Sequence, residues 1–538
     1  MNPTIIELSI AVVSLALLAW AMVLRFSRAL MMLQQNSYRN DRYMRYLKQS
    51  GDTTSFTTLG FMAFFLVGCV RAVPDVAGLA GGALMSLITI VSLSRKKYKK
   101  PLVWTRRVWR IFSVMCVITL LVTALFVVTN AWPGRIMSAL LVTALLLMQA
   151  CAWPEDLAMV ANWLLKPVEK RINRGYVDDA ARILKSMPQL KVVGITGSYG
   201  KTSTKHYLTR ILSEQFSVCM TPGSFNTTMG VVRTVREHLK PFDEVFVVEM
   251  GAKQPGDIKE ICDLVHPQVG VVTAVGEQHL ESFKSIENVQ RTKFELIDAL
   301  PATGLAVIND DFPYVASREV TNVRADRYGI EFRQELSYWV KNLRYSPSGT
   351  EFTLCGADGS RMDLRTRLVG ECNVSNLVGA IAVALHLGVP TEKIRHAVER
   401  IEQVEHRLSI KRTPGGLTII DDAFNSNPHG SSMALDVLSA MTPGKRIVIT
   451  PGMIELGDKQ FELNAEFGRK IAASADVAII VGEYNREAIL SGIGGDDAER
   501  QIRVLTADSF NEAQRMLASM AESGDTVLYE NDLPDTFK

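Results

Sequence analysis

The stretch Thr196-Gly197-Ser198-Tyr199-Gly200-Lys201-Thr202-Ser203-Thr204 follows a short β-branched run, Val192, Val193 and Ile195. It precedes a helical pattern through Leu208, Ile211 and Leu212. Strand, glycine turn and helix in that order make a phosphate cradle. Glycines let backbone N–H groups approach phosphate oxygens, and a helix N-terminus favours anions. In such a cradle Lys201 reaches the terminal phosphates and the Thr202 hydroxyl coordinates Mg²⁺. The common pattern sets four residues between its first Gly and the Gly-Lys pair. Here Ile195 stands at that first position, and Gly197 leaves only two residues between. The combination predicts nucleotide binding at Gly197, Ser198, Gly200, Lys201, Thr202 and Ser203.

Downstream, Phe246-Val247-Val248 reads as a buried strand ending in Glu249, where a carboxylate at the C-terminal edge of an α/β strand is well placed for Mg²⁺. Val271–Val275 is a similar run, followed by His279. A lone His has two readings, metal ligand or structural residue, and the second is commoner. Lys293 and Glu295 lie on a helical segment and by themselves read as a solvated face.

Upstream, the composition changes. Residues 1–153 hold 16 Lys/Arg against 4 Asp/Glu, a net of +12, whereas residues 154–538 hold 43 against 52, a net of −9. The overall +3 averages two different objects. Five charge-free runs occupy the first part: Leu8–Leu24, Thr53–Val70, Val76–Ser94, Ile111–Gly134 and Ile136–Pro154. Each approaches the roughly 20 apolar residues that a helix needs to cross a bilayer. They predict a membrane region over 1–154 with five transmembrane helices. Basic clusters follow the first run (Arg25, Arg28, Arg39, Arg42, Arg45, Lys48) and the third (Arg95, Lys96, Lys97, Lys99, Lys100, Arg106, Arg107, Arg110). The positive-inside rule puts both in the cytoplasm, with the N-terminus outside and everything after Pro154 inside. The clusters serve topology alone, or they also attract anionic head groups such as a polyprenyl diphosphate. No ionisable residue lies deep in a run, which disfavours a pump or channel. The seven cysteines form no Cys-x-x-Cys pair, so neither zinc nor redox chemistry is indicated.

Residues 155–190 are amphipathic, with Leu157, Val160, Leu164, Leu165 and Val168 at helical spacing. They read as a linker helix, either along the membrane surface or merely connecting. Short β-hairpins are expected over Leu336–Val369, turning at Ser346–Gly349 and Gly356–Gly359. Beyond Leu408, strands at Leu417–Ile420, Arg446–Thr450, Val477–Val481 and Thr526–Tyr529 alternate with helices such as Glu462–Ala473. That alternation implies a Rossmann-like doubly wound α/β domain.

Taken together, these residues resemble the Mur ligase family, the ATP-dependent amide ligases of peptidoglycan synthesis. The resemblance runs from about Lys191 to the C-terminus. It rests on Thr196-Gly-Ser-Tyr-Gly-Lys-Thr202, Thr221-Pro-Gly-Ser-Phe-Asn226, Glu249-Met-Gly-Ala252, His279-Leu-Glu281, Lys293-Phe-Glu295, Asn309-Asp-Asp311, Gly370-Glu-Cys-Asn373, Arg407 and Asp421-Asp-Ala-Phe-Asn-Ser-Asn-Pro428, in that order and spacing. To the multi-span α-helical membrane region read from the apolar runs, the resemblance adds a P-loop central Mur ligase domain (191–407) and a C-terminal domain (408–538). Thr202 and Glu249 would hold Mg²⁺, His279 a second Mg²⁺, and Lys293 would be carbamylated into a metal-binding anion. Asn373 would face the adenine, Arg407 reach the nucleotide, and Asp422 bind near the ribose. Asn226 and Thr227 would meet the substrate, and Asn425 and Asn427 would shape the cleft. For Asp421–Pro428 alone, a helix-capping turn is the plainer reading.

The implied chemistry activates a carboxylate with ATP as an acyl phosphate, which an amino acid or dipeptide amine then attacks. Three features depart from the family pattern. Soluble members begin with a domain that grips the UDP end of the precursor, whereas here only residues 155–190 separate membrane region and nucleotide strand. Cys372 replaces the usual His, and Ser224 and Thr227 alter the Asn-rich loop. Val527–Pro534 lacks the Lys-Gly-Ser string of similar members. The acceptor is therefore expected to be a lipid-linked or UDP-linked cell-wall precursor worked on at the bacterial inner membrane, with no nucleic acid and no protein partner indicated. A ligase of poly-amino-acid or capsule polymers, and an ATP-driven transporter component, are the alternative readings.

Overall fold

The structure is a computed structural model that describes residues 3–69, 75–96, 98, 100–130, 136–278, 280–346, 349–423, 426–441, 443–494 and 502–532. It forms two compact units, divided after Ile172.

The first unit is helical: Pro3–Gln35, Asn40–Ser50, Phe56–Cys69, Asp75–Arg95, Arg106–Asn130, Ile136–Ala152 and the start of Pro154–Lys185. Leu18, Phe26, Leu30, Leu33, Phe61, Ile111 and Met148 are buried between them. Equally apolar residues face outward, among them Trp20, Leu66, Leu120, Leu121 and Leu125. A helix apolar all round is buried in protein or in lipid. Ser9–Gln35 and Arg106–Leu125 are long and apolar enough to cross a membrane. Phe56–Leu66 and Leu79–Arg95 are shorter apolar helices, and Val142–Ala152 meets Pro154–Lys185 at a bend of 81°. The five charge-free runs therefore become helices of unequal length. The second starts late because Asp52–Thr54 forms a 3₁₀ turn after Gly51. The bend falls at Pro154, whose ring disfavours helical backbone in the residue before it. Parts of the expected turns, Arg71, Pro74 and Pro133–Arg135, lie outside the described residues, as do Lys97 and Lys99.

Polar pairs fasten this unit. Arg110 donates to both oxygens of Glu169 at 2.6 and 2.9 Å, and Arg28 pairs with Asp52 at 2.5 Å. Arg25 donates to Thr57 and Thr58 at 3.0 and 2.7 Å. The expected linker is one helix, Pro154–Lys185, so the stretch just before the nucleotide strand is helix and not domain.

The second unit holds two sheets. The strands of the first are β1 (Lys191–Thr196), β2 (Val218–Met220), β3 (Val245–Glu249), β4 (Val269–Val272), β5 (Leu305–Asn309), β6 (Arg324–Gly329), β7 (Tyr338–Ser346), β8 (Gly349–Gly356) and β9 (Arg361–Thr366). Their order is β2-β3-β1-β4-β5-β6-β7-β8-β9, parallel through β7 and then antiparallel. The expected hairpins thus extend the nucleotide-binding sheet and do not stand apart from it; Pro347 and Ser348 of their first turn lie outside the described residues. β1, β3, β4 and β5 are buried on both faces, which explains their unbroken β-branched runs.

The strands of the second sheet are β10 (Ser409–Arg412), β11 (Thr418–Asp422), β12 (Arg446–Thr450), β13 (Val477–Val481), β14 (Arg503–Ala507) and β15 (Thr526–Glu530), in the order β10-β11-β15-β12-β13-β14. Only β10 runs antiparallel. Four of these strands match the sequence expectation. β10 and β14 were not expected, because Ser409–Arg412 and Arg503–Ala507 carry charges and sit at the sheet edges, where burial does not impose an apolar run.

The helices Gln460–Ser474 and Arg486–Ile493 cross at Gly468 and Gly492. A Cβ on Gly492 would meet the Ala465 carbonyl oxygen at 1.9 Å, whereas one on Gly175, within Pro154–Lys185, meets nothing within 4 Å. Gly492→Ala is expected to destabilise the protein by about 1–3 kcal/mol through overpacking. Gly175→Ala is expected to stabilise it by roughly 0.5–1 kcal/mol through helix propensity. Melting curves of the two variants in detergent check this, and a shift of the same sign in both would refute it.

Candidate active site

β1 ends in the centre of its sheet, flanked by β3 and β4. At its C-terminal edge the chain turns through Gly197 (φ 149) and Gly200 (φ 78) into the helix Lys201–Leu212. Gly200 must be glycine on two counts: its φ is left-handed, and a Cβ there would meet Asn376 Oδ1 at 2.1 Å. Thr273, just beyond the end of β4 at Val272, also holds this turn. Its N–H donates to the Thr196 carbonyl at 3.0 Å, and its hydroxyl lies within hydrogen-bond reach of the carbonyls of Thr196 and Tyr199. Ser198 donates to the Gly276 carbonyl and accepts from its N–H, both at 3.1 Å. Lys201 Nζ curls back onto the carbonyls of Gly197 and Ser198, at 2.6 and 3.1 Å. Burial pushes its ammonium down to about 8, against the pull of Glu249. Ser203 is buried on the first turn of the helix.

Glu249 ends β3, parallel to β1 and one residue from its end. Its Oε2 accepts from Thr202 Oγ1 at 3.1 Å and from Lys205 Nζ at 3.0 Å, and its Oε1 accepts from Asn226 Nδ2 at 3.0 Å. Its backbone N–H donates to Thr221 Oγ1 at 3.1 Å. A threonine hydroxyl and a carboxylate beside a phosphate cradle fit a hard divalent cation, which typically takes one or two carboxylates and completes its shell with phosphate oxygens and water. Among the described residues no group of three or more His, Cys, Asp or Glu is clustered for a metal. His279 lies outside the described residues.

Lys293 sits on the helix Ile286–Asp298, which Ser285 caps. Glu295 of the same helix accepts from the N–H groups of Gly256 and Lys259, at 2.7 and 2.9 Å, and so ties it to the start of Asp257–Val265. This fixes Lys293, which is 2% exposed, and overturns the solvated-face reading. Burial, reinforced by the Lys201 cation, holds its amine well below the ordinary range. A lowered amine gives up its proton more readily, and the neutral form is the nucleophilic one.

The remaining expected residues divide. Asn373 is buried with both ends of its amide used: Tyr207 donates to Oδ1 and Nδ2 donates to the Val369 carbonyl, each at 2.8 Å. Thr227 caps the helix Thr228–Glu237 by accepting from the Gly230 N–H. Asn427 caps Pro428–Ser439 in the same way, so the plain capping reading holds for it. Asn425 lies outside the described residues. Arg407 is held below its ordinary value by burial, opposed by Asp422 and Glu249. Burial pushes Asp422 up to about 6, against Arg407 and the N–H of Leu408 at 3.0 Å. His429, on the C-terminal domain's helix, packs its ring 4.9 Å from Phe312 and 6.1 Å from Tyr199 of the cradle.

Sequence reasoning missed two groups, Lys205 and Glu530, and gave Asn309 no role although it stands in one of the quoted strings. Lys205 reads as an ordinary helical lysine, yet it is wholly buried. Asn309 donates to the Thr273 carbonyl and to Ser375, linking β5 to the turn. Glu530 pairs in register with Asp422 across β11 and β15, and only one of its oxygens is bonded, by Ser426 at 2.7 Å. The spacing of Lys205 four residues after Lys201, one helical turn on the same face, was the available signal.

The known proteins the chain is similar to agree with this geometry. The family model of the Mur ligase middle domain matches residues 195–384, and that of the Mur ligase glutamate ligase domain matches residues 406–529. The UDP-N-acetylmuramoyl-tripeptide–D-alanyl-D-alanine ligase of Bacillus subtilis is 28% identical over 344 residues, covering 63% of this chain and 72% of the relative. That of Mycobacterium tuberculosis (strain H37Rv) is 31% identical over 361 residues, covering 63% and 70%. Among solved structures, MurF from Acinetobacter baumannii superposes with a TM-score of 0.59 at 26% identity over 66% of this chain and 77% of its own. MurF from Thermotoga maritima in complex with ADP gives 0.59 at 26% over 66% and 80%.

Burial, with Asp422 alongside, holds the Glu530 carboxyl well above its ordinary value. The unfolded chain therefore loses this proton first, and stability falls as pH rises above about 4.3 toward the folded value. Glu530→Gln keeps the group neutral. Its melting temperature is expected to exceed that of the parent by a margin that widens between pH 5 and pH 8; a constant or shrinking margin contradicts the assignment.

Proposed function

The chain belongs to the Mur ligase family, ATP-dependent ligases that form amide bonds, and on that premise we propose that it extends a membrane-associated cell-wall peptide precursor. In this reading residues 1–154 are a five-span anchor with the N-terminus outside, 155–190 a linker helix, 191–407 the ATP-binding domain and 408–538 the C-terminal domain, both cytoplasmic at the bacterial inner membrane. The observation that carries the ligase assignment is the cradle Gly197–Thr202 set against Glu249, within the residues that the Mur ligase middle domain model matches.

The amine donor is an amino acid or dipeptide; the relatives' names specify D-alanyl-D-alanine. ATP supplies the phosphoryl group that converts the acceptor carboxylate into an acyl phosphate, and Mg²⁺ neutralises phosphate charge when bound. The residues that would hold Mg²⁺ are Thr202 and Glu249, with His279 for a second Mg²⁺ and Lys293 as its carbamate. Lys201 exchanges the carbonyls of Gly197 and Ser198 for a phosphate oxygen, which restores its full charge. The neutral Lys293 amine adds CO₂ and releases a proton, forming a carbamate whose negative charge offsets the Lys201 cation. Ser198, Gly200 and Ser203 shape the cradle. Arg407 and Asp422 face the nucleotide from the domain junction, and Asn373 holds the adenine-side helix through Tyr207. Asn226 and Thr227 would meet the acceptor, and Asn425 and Asn427 would shape its cleft. Contact of His429 with Tyr199 and Phe312 supports closure of the C-terminal domain over the cradle, which protects an acyl phosphate from water.

A lipid-linked acceptor is favoured by crowding of like charge in the helical unit. Lys96 is held below its ordinary value chiefly by the nearby Arg28 cation, an arrangement that an anionic head group would relieve. Lys201→Ala and Lys293→Ala are each expected to reduce acceptor-dependent ADP release at least a thousandfold while leaving the melting temperature within a few degrees; undiminished turnover in either refutes its role. Purified enzyme in nanodiscs is expected to favour lipid-linked over UDP-linked acceptor. Equal turnover on the two removes the lipid reading and leaves the ligase reading standing.

A further inference from the structure

Lys205 joins three parts of the site that are distant in sequence. It lies one helical turn beyond Lys201, its side chain has no solvent exposure, and its Nζ has two acceptors. One is Glu249 Oε2 at 3.0 Å, the other the Gly223 carbonyl at 2.6 Å. Gly223 belongs to the loop Thr221–Asn226, whose two ends are also tied to Glu249. Thr221 Oγ1 accepts from the Glu249 N–H, and Asn226 Nδ2 donates to the Glu249 carboxylate. The loop is thus strung around Glu249, with Lys205 holding its middle.

Three donors from two segments converge on one carboxylate: Thr202 and Lys205 from the cradle helix, and Asn226 from the loop. A carboxylate has about four lone-pair positions, so one remains for a cation. That position is on Oε1, and a divalent cation there repels the Lys205 ammonium bound to Oε2. Lys205 has one other charge-assisted bond to strengthen, and that bond is to the loop. An ammonium on a four-carbon stem can shift between two acceptors without backbone movement.

We propose that Lys205 is a positioning residue that couples cation binding at Glu249 to the order of the acceptor loop Thr221–Asn226. The proposal rests on the reading of Glu249 as the cation-holding carboxylate and of this loop as part of the acceptor cleft. With the cation absent, Lys205 is shared between Glu249 and Gly223. With it present, Lys205 bears on Gly223 and tightens the loop, so the acceptor meets an ordered loop only when the cation is in place.

Hydrogen exchange on the full-length protein in detergent tests this, comparing a non-hydrolysable ATP analogue with Mg²⁺ against the analogue with EDTA. In the wild type, Mg²⁺ is expected to slow exchange at least threefold at both the cradle amides (Gly197–Thr202) and the loop amides (Gly223–Asn226). In Lys205→Met, Mg²⁺ is expected to protect the cradle but not the loop. Equal Mg²⁺-dependent loop protection in Lys205→Met overturns the proposal. If that variant does not fold, the wild type alone decides: a loop indifferent to Mg²⁺ while the cradle responds overturns it. A cradle that does not respond contradicts the nucleotide-site reading itself, which keeps the two failures apart.

Discussion

The carboxylate of Glu249 receives hydrogen bonds from Thr202, Lys205 and Asn226, and through them three segments are held at one point. A buried carboxylate is costly unless it is paired and fully hydrogen-bonded. Here β3 supplies the carboxylate, and the cradle helix and the loop before Thr228–Glu237 supply its partners. The end of β3, the start of the cradle helix and this loop therefore cannot drift independently, because each supplies a member of the same bonded group. The same logic places Lys293. Glu295 caps a neighbouring helix, so the backbone that carries the amine two residues earlier is fixed with it. In both cases an ionisable group is positioned by what its neighbours must satisfy.

Much of the α/β architecture was legible because buried parallel strands need continuous apolar runs. Arg446–Thr450 and Val477–Val481 could be read off to the residue, and β3 to within one. β10 and β14 were not, since an edge strand needs no such run. The cradle was legible because Gly197 and then Gly200-Lys201-Thr202, between a β-branched run and a helical pattern, leave little else to be; both glycines take positive φ. Lys205 and Glu530 were hidden for the opposite reason. A lone charged residue in a sequence defaults to the surface, and only the three-dimensional arrangement shows that one is enclosed with a carboxylate and the other with hydroxyls. Asn427 stands between these cases: its cap was foreseeable, and the cap is what the geometry shows.

The helical unit was legible as apolar but not in its lengths. Charge-free runs mark where helix is permitted, whereas starts and stops depend on local turns such as Asp52–Thr54 and on Pro154. The averaged charge of +3 hides a basic first part and an acidic remainder. That division agrees with the boundary between the two compact units to within about twenty residues.

The place of β1 in its sheet has a further consequence. It is hydrogen-bonded on both sides, to β3 and β4, and neither it nor its neighbours form an edge of the nine strands. The cradle therefore cannot fray by peeling from one side; losing it means losing the centre of the sheet. Local opening is cheapest where few contacts are broken, and this location offers no cheap route. A ligand bound at the cradle thus stabilises the whole sheet and not one loop of it, by an amount that grows with the logarithm of ligand concentration. Nucleotide supply becomes, through topology alone, a determinant of how long the folded enzyme persists.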